Sequence, residues 1–113
     1  MKNKELKLNV TTNEGIVERI SWQASDFENN KETETKAFML SVWDEDKKGT
    51  LKVDLWTKDM RVDEMKVFFY EALMSMSETF LKATGEKNIV EDLRDYCAHF
   101  AEKMEIKDSN HNE

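Results

Sequence analysis

Between Trp56 and Val62 the spacing of apolar residues changes from two to three or four, and this change constrains the fold more than any other feature of the chain. On its N-terminal side, Leu51, Val53 and Leu55 alternate with Thr50, Lys52 and Asp54, the pattern of a strand with one face inward and one wet. Ala37–Asp44, AFMLSVWD, is apolar on both sides, as expected of a strand covered on both faces. Glu45–Gly49 between them reads as a hairpin turn. From Val62, apolar side chains recur at Met65, Phe69, Ala72 or Leu73, Met76, Phe80 and Ala83, one face of a helix. Asp59, Asp63 and Glu64 lie around its first turn, where carboxylates suit the helix dipole. The run from Ala37 to Phe80 thus predicts two strands followed directly by a long helix.

The flanking segments extend this pattern. Leu6, Leu8 and Val10 alternate with polar residues and predict a half-buried strand, closed by a turn at Thr12–Gly15. Ile16–Trp22 predicts a second strand, but Glu18 falls on its apolar face, which implies a register shift or an edge position. Gln23–Lys36 is too long for a tight turn and too polar for a strand, so it reads as a mobile solvated connector in which Phe27 alone docks. Gly85 stands where a left-handed helix cap belongs. Asn88 and Glu91 resemble a capping box for a second helix, with a stripe of Ile89 or Val90, Leu93, Tyr96 or Cys97, Phe100 and Met104. The expected fold is α+β: a four-stranded antiparallel sheet followed by two C-terminal helices packed on one face. It forms one domain over residues 5–107, with flexible termini at 1–4 and 108–113.

Charge and cysteine content narrow the setting. A net charge of −7, from 17 basic and 24 acidic residues, argues against nucleic acid or an anionic membrane surface as the main partner. No run reaches the ~20 apolar residues that direct membrane insertion needs. The N-terminus has no apolar run of signal-peptide length, and the lone Cys97 cannot form an intrachain disulfide. A reducing, cytoplasmic location is expected.

The candidate chemistry is sparse. Cys97 and His99 lie about 200° apart around a helix and cannot easily share a metal. His111 sits in the polar tail. Asp54, Asp59, Asp63 and Glu64 gather near the strand–helix junction, but Lys58 and Arg61 beside them favour their ionised forms. With no glycine-rich phosphate loop, nucleophile motif or ligand cluster, the chain is expected to be no enzyme, with no catalytic, cofactor-binding or metal residues and no cofactor. Among the seven methionines, Met65 and Met76 lie on the helix stripe and read as core. Met74 and Phe68 lie off it, and with Trp43 and Trp56 they form the candidate interface. Self-association is the simplest use of such surplus apolar surface.

KAFMLSVWD, LKVDLWTKDMRVDEMKVFF, MSMSETFLKATGE and LRDYCAHFAEKMEIK resemble the gliding motility protein GldC family of Bacteroidota, as does ISW at Ile20–Trp22. The resemblance covers roughly residues 5 to 107, and DLWTKDM followed by VDEMK is its specific signal. The segment Phe27–Thr35 is least family-like, and Arg61 stands where the family usually has proline, which would suit the first turn of a helix. The resemblance implies a small soluble cytoplasmic protein associated with the gliding machinery and with type IX secretion, without catalytic residues. The leading reading is therefore an accessory protein of gliding motility that acts by contact with a protein partner. The alternative is a holdase for a secreted or membrane component, since the element order is similar to that of the secretion chaperone SecB. A small-molecule binding module comes third, and needs a closed apolar pocket between sheet and helices.

Overall fold

A computed structural model describes residues 2–25 and 31–106. The chain forms two compact units, Met1–Met60 and Arg61–Glu113. The first holds β1 (Leu6–Asn13), β2 (Ile16–Ala24), β3 (Thr33–Thr35), β4 (Ala37–Asp44) and β5 (Gly49–Trp56); the second holds α1 (Val62–Thr84) and α2 (Lys87–Lys103).

The α+β class and the two C-terminal helices stand, but the four-stranded sheet does not. Among the described residues the strands form a three-stranded sheet, β1-β2-β3, and a two-stranded sheet, β4-β5. The chain bends at Lys36, and the ladder changes partner there. Before the bend Thr33–Thr35 pairs antiparallel with Trp22–Ile20; after it Ala37–Asp44 pairs antiparallel with Trp56–Gly49. The segment read as a connector contributes strand at both ends, because β2 runs on to Ala24 and β3 begins at Thr33. Two β-branched threonines suit β3, and Glu34 reaches Arg19 of β2 at 3.3 Å. The docking expected of Phe27 lies outside the described residues.

The β1–β2 register shifts between Thr11 and Thr12, so that Thr11 opposes Arg19 and Thr12 opposes Val17. Glu18 is the extra residue, as its place on an apolar face implied, and its carboxylate meets Lys58 at 3.0 Å. The hairpin closes over Glu14 (φ 54°) and Gly15 (φ 82°), two residues in the left-handed region, which matches the twist of the flanking strands. In the β4–β5 turn the left-handed residue is Lys48 (φ 55°), while Gly49 pairs with Asp44. The Asp44 carboxylate accepts the Lys47 N–H at 3.2 Å. In this unit Ile20 and Ala37 are buried, with Ser21 and Thr57 as buried polar groups.

In the second unit α1 and α2 pack on one another. Its buried positions are Ser77 on α1 and Val90 and Cys97 on α2. Small side chains there suit a close approach of two helices. The α2 stripe is as its periodicity required, with Leu93, Phe100 and Met104 half-buried beside Val90 and Cys97. The α1 stripe holds only in part. Met65, Ala72 and Leu73 are half-buried, but Val62, Phe69, Met76 and Phe80 are exposed, Met76 at 62%, and the supposedly off-stripe Phe68 and Met74 are half-buried as well. Ser77 lies about 100° from Met76 around the axis, so the packed arc is the neighbouring one.

Three termini fix the helices. Gly85 (φ 73°) caps α1, its N–H reaching the Leu81 carbonyl at 2.8 Å. At the start of α1, Arg61 is the N-cap, not a first-turn residue. Its N–H donates to the Glu64 carboxylate at 3.0 Å, a bond that proline could not make, and its guanidinium holds Asp63 with Nε at 2.9 Å. Helix α2 begins at Lys87 after Glu86, with no side-chain cap, so Asn88 already lies inside the first turn and the expected capping box is absent.

Candidate functional site

The alternation along β4 and β5 sorts the hairpin into two faces. Residues directly opposite one another share a face, so Phe38, Leu40, Val42, Leu51, Val53 and Leu55 form one wholly apolar side. Ala37, Met39, Ser41 and Trp43 share the other with Thr50, Lys52, Asp54 and Trp56. The first face was the expected core side. It is open instead: Leu40, Val42, Leu51 and Val53 are all exposed, with Phe38 and Leu55 half-buried.

Of the four residues singled out as an interface, two lie on the hairpin and two on α1. Trp43 and Trp56 are on the same face, 61% and 56% exposed, at opposite ends of the hairpin. Six residues of strand separate them, about 20 Å. Phe68 meets the edge of the Phe69 ring with centroids 6.4 Å apart, and Met74 gives its carbonyl to the Ser77 hydroxyl at 2.6 Å.

One feature escaped the sequence. A groove of about 300 Å³ in the first unit is lined by Leu6, Leu8, Trp22, Ala37, Phe38 and Leu40. Only the partner change at Lys36 brings the start of β4 beside these β1 and β2 residues, and nothing in the periodicity announces that change.

The carboxylates each have a local partner. Asp54 pairs with Lys52 at 3.2 Å and Asp63 with Arg61. The Thr57 hydroxyl, donating at 2.6 Å, holds the Asp59 carboxyl below the usual range, helped by the positive charge of Lys36 and Lys58. Hydrogen bonding from Arg61, with its charge, does the same for Asp63. Groups so held stay ionised at neutral pH, the reverse of the raised carboxyl that acts as a general acid. Burial pushes the Cys97 thiol up, away from the thiolate a nucleophile needs. The His99 ring lies beside that of Tyr96, with centroids 5.8 Å apart and the planes tilted by 49°. Among the described residues no group of three or more His, Cys, Asp or Glu side chains is placed to hold a metal ion. Among the same residues no helix is long and apolar enough to cross a membrane.

No curated protein and no solved structure matches the chain. One family does: residues 17–106 match the description "Gliding motility-associated protein GldC-like". That span takes in β2 through α2, and with it the exposed hairpin and the helical pair. The chain belongs to the GldC-like family of gliding motility-associated proteins.

Proposed function

We propose that this chain is a non-enzymatic, cytoplasmic accessory protein of bacterial gliding, which acts by contact with a protein of the gliding and type IX secretion machinery. The observation that carries this reading is the pair Trp43 and Trp56, more than half exposed on one face of the β4–β5 hairpin. Large aromatic side chains left in water are costly to solubility and are the commonest anchors of protein interfaces. The other two candidates, Phe68 and Met74, are half-buried on α1 and do not carry the reading. In-cell crosslinking with mass spectrometry in a gliding strain tests the reading. Replacing Trp43 and Trp56 with serine should remove crosslinks from the hairpin to the machinery and slow gliding while the chain stays folded. Unchanged crosslinks and motility would overturn it.

The groove lined by Leu6, Leu8, Trp22, Phe38 and Leu40 favours a second reading, a holdase that shelters apolar segments of a secreted or membrane component. It predicts suppression of client aggregation without ATP, lost when Trp22 and Phe38 are made polar. An inactive wild-type chain in that assay removes it.

A further inference from the structure

We propose that the free edge of β4 pairs with β4 of a second copy, antiparallel about a two-fold axis at Leu40. The inference goes beyond the contact role above and does not rest on the motility reading.

The edge is open on three grounds. Among the described residues, β4 has β5 as its sole ladder partner. The Thr57 N–H donates to the Lys36 carbonyl at 2.7 Å, which makes 36–57 a hydrogen-bonded pair. By the alternation of an antiparallel ladder, the even-numbered residues of β4 then point their backbone groups at β5 and the odd-numbered ones point away. Ala37, Met39, Ser41 and Trp43 therefore direct N–H and C=O outward; the Ala37 carbonyl, consistent with this, takes the Thr35 hydroxyl at 3.1 Å instead of a β5 donor. Unlike most exposed edges, the stretch 37–43 carries no charge and no proline to repel a second strand.

The sequence of this edge is complementary to itself. With Leu40 opposite Leu40 of the other copy, Phe38 meets Val42, Met39 meets Ser41 and Ala37 meets Trp43. Lys36 then stands opposite Asp44 at each end, where the chain turns off and the ladder stops. Unlike charges thus bracket an uncharged centre twice over. The outward-pointing odd residues form the hydrogen-bonded pairs of this register, and the Leu40 pair is a non-hydrogen-bonded one. A two-stranded sheet is marginal in water, and the pairing converts it into four strands, β5-β4-β4-β5. The apolar face Phe38, Leu40, Val42, Leu51, Val53 and Leu55 becomes continuous across both copies. On the opposite face Trp43 and the other copy's Trp56 flank the small Ala37 in one cross-strand row.

Sedimentation equilibrium and cysteine trapping test this. The full chain should sediment at twice 13.3 kDa at tens of micromolar. A Leu40→Cys chain should oxidise to a covalent dimer, because the Cα atoms of such a pair lie about 4.5 Å apart, within disulfide reach. Val42→Cys, facing Phe38, should not. Ser41→Pro removes an outward N–H and the exposed hydrogen bond from Lys52 to the Ser41 hydroxyl, but no β4–β5 ladder bond, and should leave a monomer with an unchanged far-UV spectrum. Lys36→Glu or Asp44→Lys alone should weaken the dimer about tenfold, and the two together should restore it to within about threefold. A wild-type monomer overturns the proposal. So does a dimer that resists Ser41→Pro and traps Val42→Cys as readily as Leu40→Cys, which would place the contact elsewhere. Capture of another protein's extended strand by a chain that never self-pairs would replace the second copy with that partner.

Discussion

Helix α1 offers two apolar arcs, and substitution can decide which of them holds the helical unit together. Val90 of α2 is 1% exposed, so Val90→Ala removes two buried methylene equivalents, about 0.8 kcal/mol each. The cavity left behind adds to this and the better helix propensity of alanine subtracts, for a net loss of about 2 kcal/mol. Met76 is 62% exposed, so only about a third of a burial worth about 1.5–3 kcal/mol is at stake. Alanine's propensity offsets part of that, and Met76→Ala should cost about 0.5 kcal/mol or less. In thermal melts followed by far-UV circular dichroism, at a concentration low enough to keep the chain monomeric, the first change should lower Tm by about 8 °C and the second by about 2 °C. A Met76→Ala loss equal to or larger than that of Val90→Ala would mean that the seven-residue stripe is the packed face, and the assignment of Ser77 to the interior would fail.

Three further outcomes follow from local geometry. Lys48 holds a left-handed φ of 55° that costs a non-glycine residue about 1 kcal/mol, so Lys48→Gly should stabilise the chain by about 0.5 kcal/mol in denaturant titrations; destabilisation would refute the turn assignment. The Asp63 carboxyl is held below its ordinary 3.8 by the Arg61 guanidinium, so its contribution is present above 3.8 and lost as pH falls through the lowered folded value. Carbon NMR should find an Asp63 midpoint below 3.8 that returns upward in Arg61→Gln. Cys97 is fully buried with its thiol pushed up, so an aromatic disulfide reagent should leave it untouched in the native chain and label it on unfolding. Rapid native labelling would remove it from the packed face of α2.

Local chemistry was the legible part of this chain. Glycine at 85, the awkward Glu18 and the α2 stripe each point to one structural answer, because backbone sterics or a single charge decides them. The sheet was less legible. Partner choice along residues 33–44 turns on a bend at Lys36, and no periodicity encodes which of two neighbouring strands a segment will bond. The β3 threonines and Glu34 look like connector by polarity, yet a three-residue strand needs only β-branched side chains and one cross-strand ion pair. On α1 the failure has a different origin. Apolar residues occupy more than half of its circumference, so spacing alone leaves the packed arc undetermined, and the small Ser77 that marks it carries no hydrophobic signal. The interface residues were chosen as surplus to a core that included side chains left exposed on α1 and on the hairpin, Phe69, Met76, Leu51 and Val53 among them. Trp43 and Trp56 are nonetheless exposed, because the large side chains at the two ends of a two-stranded sheet have little beside them to provide cover.

The open hairpin also shows why alternation cannot distinguish an interior from a contact. Leu51, Val53 and Leu55 require an apolar neighbour, and period two states that requirement without saying which chain supplies it. Charge placement is more selective. Moving the proposed β4 pairing by one residue, to a two-fold at Ser41, sets Asp44 against Phe38; moving it the other way, to Met39, sets Lys36 against Val42. Each shift places a charge opposite an apolar side chain twice, by symmetry; the shift to Met39 also sets Asp44 against Glu34, a like charge, and the shift to Ser41 leaves Lys36 with only Asp46, beyond the end of β4. The register at Leu40 alone opposes Lys36 with Asp44. An edge without a proline or a central lysine is exposed to indiscriminate strand addition. A charge of each sign at its two limits admits the strand whose ends carry the reverse order, and antiparallel β4 of a second copy is such a strand.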